Sequence, residues 1–161
     1  MKTRAELVVL VDRLRAPLRE FVRESRVRMA VLVNSSGQLL AQQGFSRGYE
    51  VTNVASLAAA AHAAAAALAE MTGARRWTHL HNEGKNQHML LAPYVTGGVD
   101  LILVAIFDRS TSLGIVRLFS DRLGDRLAAM PELQAASSVR DATRFEQELE
   151  GGVRRVMGER A

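Results

Sequence analysis

The stretch NVASLAAAAHAAAAALAEM, Asn53 to Met71, decides how the chain is read. Eleven of the fifteen residues from Ala55 to Ala69 are alanine, which has the best intrinsic helix propensity, so the stretch predicts a helix. Thr52 is placed to cap it and Gly73 to end it. Methyl groups bury little area. What such a helix gains is closeness, because small side chains let another backbone approach. Ser56, Ala60, Ala63, Ala64 and Ala67 form one smooth strip. Val54, Leu57, Leu68 and Met71 are expected to turn towards the protein's own sheet, leaving the strip as a bare apolar interface. His62 has only Ala58, Ala59, Ala65 and Ala66 three and four residues away. It therefore reads as a surface or interface residue rather than a ligand or base.

Working outward, Leu7, Leu10, Val11, Leu14, Leu18, Phe21 and Val22 recur at helical spacing within residues 4–24, a first amphipathic helix that Pro17 should kink or shorten. Val27 to Val33 and Gln38 to Gln43 flank Asn34-Ser35-Ser36-Gly37, which is turn chemistry, so they read as a hairpin. Beyond the alanine helix, Trp77 to Glu83 and Asn86 to Val95 flank Gly84-Lys85, which suits a two-residue type II′ turn. Thr96-Gly97-Gly98 makes the next turn, and Asp100 to Phe107 is the most apolar strand and should lie centrally. Residues 108–112 open a last helix, with Leu113, Val116, Leu123 and Leu127 as its buried side and Pro131 as its stop. The expected class is α+β, in the order α-β-β-α-β-β-β-α, with one five-stranded antiparallel sheet covered by helices. Residues 1–130 would form this domain. Residues 131–161 read as a tail, partly helical or flexible, with Ala142, Phe145, Leu149, Val153 and Val156 as a helical stripe weakened by Gly151-Gly152.

Composition excludes several classes. Cysteine is absent, so there is no disulfide frame or thiolate chemistry. The net charge of +4 is spread along the chain and aromatics are few, which argues against nucleic-acid binding. The N-terminal MKTRAELVVLVDRL is broken by charge, unlike a signal peptide, and the alanine run falls short of the ~20 apolar residues of a membrane span. The reading is a cytoplasmic protein without membrane insertion.

No catalytic site, cofactor site or metal site is expected. There is no GxxxxGK[ST] phosphate loop. Glu146, Glu148 and Glu150 scatter around a helix, and Ser110 and Ser112 are explained as caps. If Gly84-Lys85 is the turn, Glu83 pairs with Asn86 and His81 with His88, with His79 on the same face. Three imidazoles would then begin a zinc site, but without a carboxylate in register.

VASLAAAAHAAAAALAEMTG, then HLHNEGK, then LILVAIFDRSTSLGIVRL together resemble the Roadblock family of dynein-light-chain-like domains, and within it the bacterial MglB-like branch. The most specific piece is residues 106–118, and the resemblance covers about residues 5–128. It implies a homodimer that binds a Ras-like small GTPase of the MglA type. It also implies stimulation of GTP hydrolysis by reshaping the GTPase, with no inserted arginine, in cell polarity or gliding motility and with recruitment to a cell pole. The family's GTPase-facing surface includes the paired second helices, which carries over to Ser56, Ala60 and Ala64. Phe145 and Leu149 are candidates for docking the tail on the partner. The chain departs from the family at Ala60 and Ala61, where glycine and asparagine are usual, and at Met89, where an aromatic is usual.

Overall fold

The computed structural model describes residues 4–45, 48, 50–74 and 76–134. The elements run α1 (Arg4–Ser25), β1 (Met29–Asn34), β2 (Leu39–Gly44), α2 (Val51–Met71), β3 (Leu80–Glu83), β4 (His88–Val95), β5 (Asp100–Phe107) and α3 (Leu113–Ala128). This is the expected order. The strands form one antiparallel sheet in the order β2-β1-β5-β4-β3, with β5 at its centre.

Alternation along β5 explains why it is apolar throughout. Leu101, Leu103, Ala105 and Phe107 point to one face, and Ile102, Val104 and Ile106 to the other. The first face is covered by α1, through Leu10, Leu14, Leu18 and Phe21, and by α3, through Val116, Leu123 and Leu127. The second face is covered by α2. The result is three layers with the sheet in the middle.

The hairpin of β1 and β2 closes as its turn residues dictate. Asn34 Oδ1 accepts from the backbone N–H of Ser36 at 3.1 Å and of Gln38 at 2.9 Å. Gly37 adopts a φ of 83°. A side chain there would meet the Cα of Ser56 at 3.0 Å, so the turn lies directly against the start of α2. Ser112 caps α3 by accepting from the backbone N–H of Ile115 at 3.3 Å. On the other side of α3, Tyr94 donates its hydroxyl to the Ser120 carbonyl at 2.9 Å. Burial pushes that phenol well above its ordinary pKa.

Four expectations are corrected. Helix α1 runs through Pro17, which is buried, and ends eight residues later, where Arg26 takes a φ of 58°. Thr52 does not cap α2: Glu50 holds that position without a side-chain hydrogen bond, and Thr52 is already helical. β3 begins at Leu80 rather than Trp77. The β3–β4 connection has four residues, because Glu83 pairs with His88 and the Gly84 N–H donates to the Gln87 carbonyl at 2.9 Å. Gly73 ends α2 as expected, with a φ of 74°. Helix α3 ends at Ala128, ahead of Pro131, and helical backbone resumes at 131–134. There Leu133 is fully buried in the α1/α3 core, and Glu132 lies 3.5 Å from Arg13. Phe145, Leu149 and the rest of the tail stripe lie outside the described residues.

Candidate partner interface

Alanine surrounds α2, so the sheet rather than the helix decides which side is buried. Met29, Val31 and Val33 of β1, Leu91 of β4, and Ile102, Val104 and Ile106 of β5 already fill the space above the strands. What fits over them is a methyl surface. Ala55, Ala58, Ala59, Ala65 and Ala69 are the buried residues of α2. The bulky residues expected to face the sheet mostly do not. Leu57, Leu68 and Met71 are 70%, 52% and 83% exposed, and only Val54 packs partly against the core. Their size is the reason, since a leucine at a buried position would lift the helix off the strands.

The strip Ser56, Ala60, Ala63, Ala64 and Ala67 is exposed along its whole length. Leu57, Leu68 and Met71 lie beside it, so the outward side of α2 is apolar over several turns. Such a continuous exposed patch is a candidate interaction surface. The strip has no chemistry of its own. The Ser56 hydroxyl donates back to the Thr52 carbonyl at 3.2 Å, and the other four side chains are methyl groups. Sequence reasoning found the strip but missed the three large residues exposed beside it. Their spacing at 57, 68 and 71 would have placed them opposite Ala55, Ala58 and Ala65 had the buried side been known. As a whole, α2 is long and apolar enough by length and composition to cross a bilayer, which the alanine run alone is not, yet its inner side is packed as a core helix.

The histidines fall into two pairs. His62 is half-buried beside a cleft of about 220 Å³ that His79, Trp77, Leu91 and Pro93 also line. His79 has its Nε2 3.3 Å from Asp121 of α3. Burial lowers its pKa, and Asp121 opposes that shift. His81 and His88 do meet, with His81 Nε2 and His88 Nδ1 3.2 Å apart. The expected register had them directly opposite. The observed one is displaced by two residues, which keeps both on one face as diagonal neighbours.

At the base of α3, the Ser110 N–H donates to Asp108 Oδ1 at 2.9 Å, and Arg28 of the β1 approach pairs with Oδ2. Hydrogen bonding from Ser110, with Arg28 adding to it, holds the Asp108 carboxyl down at about 2.

The Roadblock/LC7 domain profile matches residues 16–107, more than half of the chain. The chain belongs to the Roadblock/LC7 family. Three solved structures share the fold of this Roadblock domain closely. Myxococcus xanthus MglB is 28% identical with a TM-score of 0.67, over 72% of this chain and 92% of that one. A structure described as MglB with a tetrameric arrangement is 27% identical with a TM-score of 0.67, over 78% and 91%. The gliding protein MglB from Thermus thermophilus is 28% identical with a TM-score of 0.65, over 73% and 87%. Among curated proteins none matches.

Proposed function

We propose that this Roadblock domain is a cytoplasmic, dimeric regulator that binds a Ras-like GTPase of the MglA type. In this reading it stimulates GTP hydrolysis without contributing a catalytic residue, in a polarity or motility system. The observation that carries the reading is the outward side of α2, apolar and exposed from Ser56 to Met71, in a domain 27–28% identical to MglB structures. A tetrameric arrangement of one of those proteins supports self-association as part of the function. Phosphoryl transfer is governed by positioning and electrostatics, so a regulator needs a surface that holds the GTPase in one shape rather than an acid or base. Ser56, Ala60, Ala63, Ala64 and Ala67 supply such a surface, and the tail, through Phe145 and Leu149, is the proposed second contact.

Timing phosphate release from a GTP-loaded MglA-type GTPase, with and without the full chain, is the test. Acceleration that vanishes in Ala60→Arg supports the proposal, and absence of both binding and acceleration overturns it. That second outcome would leave the alternative, a non-catalytic Roadblock scaffold whose partner is not a GTPase. For the tail, truncation should begin after Gln134, because Leu133 belongs to the core. Unchanged GTPase affinity in that truncation would remove Phe145 and Leu149 from the interface.

A further inference from the structure

β3 and β4 gather three metal-competent side chains on one face at the edge of the sheet. His81 and Glu83 alternate along β3 and so share a face, and Glu83 lies directly opposite His88. The observed register thus supplies the in-line carboxylate that the sequence-derived register lacked. The His81 and His88 rings are within 9° of parallel with centroids 5.4 Å apart. With Nε2 and Nδ1 at 3.2 Å, the rings meet edge to edge through those two nitrogens. Both rest over Phe107, at 6.2 and 5.2 Å between centroids, and Phe107 is itself buried in the core.

An apolar floor therefore fixes two half-buried imidazoles with their nitrogens facing. Such a pair can share one proton or hold one cation. Two imidazole nitrogens bound at ~2.0–2.1 Å to a tetrahedral zinc stand roughly 3.3 Å apart, close to the observed spacing. Among the described residues no three His, Cys, Asp or Glu side chains already converge. Glu83 is exposed, and its Cβ should stand about 4.5–5.5 Å from that of His88, so a rotamer change brings its carboxylate to the pair. We propose that His81, His88 and Glu83 form a site for a divalent cation of the zinc class, with two imidazole nitrogens already at near-ligand spacing, their rings turning to aim at the ion and the carboxylate recruited on binding. Water completes the coordination. Because β3 is a four-residue edge strand, the cation would also staple it to β4 and stabilise the folded chain.

The test uses the full chain without a histidine tag, freed of metal by chelator, and titrated with zinc chloride by calorimetry and with cobalt chloride by visible absorption. One equivalent per chain should bind, and zinc should raise Tm. Even a supporting partner of a ligand is worth about 10–100-fold in affinity, so His81→Ala or His88→Ala should each weaken binding about tenfold or more. Glu83→Gln should weaken it less, and His62→Ala and His79→Ala should leave it unchanged. NMR of the unsubstituted chain provides the same test without a variant: zinc should shift the imidazole signals of His81 and His88 and leave those of His62 and His79 in place. No saturable uptake by the unsubstituted chain, or uptake with the His81 and His88 signals unmoved, overturns the site.

Discussion

On one face of the sheet, α1 and α3 drive leucine, valine and phenylalanine side chains between those of the strands; on the other, α2 lays down mainly alanine methyl groups, with Val51 and Val54 partly buried at its start. The outsides differ in the reverse sense. α1 and α3 show many charges to solvent, and Glu20 and Arg126 pair across them. α2 turns Leu57, Leu68 and Met71 outward. A helix that inserts large side chains into its own core has spent its apolar residues there. A helix that approaches closely through alanines keeps its large ones for another surface. The first kind holds the domain together, and in the proposed function the second joins it to a partner.

The largest effect should come from the α1 side. Leu14 is fully buried, so Leu14→Ala removes side-chain packing and leaves a cavity, at about 2–5 kcal/mol. Urea unfolding followed by circular dichroism measures it. On the α2 side the dangerous change is the opposite one. Ala55 is fully buried against bulky sheet residues, so Ala55→Leu should overpack and cost about 1–3 kcal/mol. Leu68→Ser on the outward side should stay within about 0.5 kcal/mol in the dissociated chain. Equal losses from these two substitutions would erase the distinction between the sides of α2.

A smaller effect tests how the α3 layer is tied to the sheet. The folded state holds Asp108 ionised down to about 2, mainly through Ser110 and then Arg28. A depressed carboxyl contributes fully above its unfolded pKa of about 3.9 and loses that contribution as pH falls towards the folded value. Asp108→Asn should therefore flatten the stability curve between pH ~4 and ~2 and leave its shape near neutrality unchanged. Thermal melts across that range read it out.

The sequence made the element order, both central turns and the place of β5 legible, because Asn34, Gly37, Gly73 and the apolar run from Leu101 to Phe107 act locally. Two things were not legible. The β3–β4 register depends on a four-residue loop from Gly84 to Gln87, in which the two-residue Gly-Lys signal was the wrong local competitor. The orientation of α2 depends on which strand side chains lie beneath it, and a helix ringed by alanine gives no preferred direction of its own. The strip itself was identified, since whichever side faces the sheet, another must be left over. Pro17 does not shorten α1, because the packing of Leu14, Leu18 and Phe21 around it holds the helix in place.

Native mass spectrometry of the full chain and of Ala60→Arg, paired with circular dichroism melts, bears most directly on the two-sided role of α2. The unsubstituted chain should be a dimer or a multiple of one. Ala60→Arg should be a monomer that keeps its helical signal and still melts cooperatively, because residue 60 is exposed in the single chain. A monomeric unsubstituted chain, or an Ala60→Arg variant that associates as before, would contradict it.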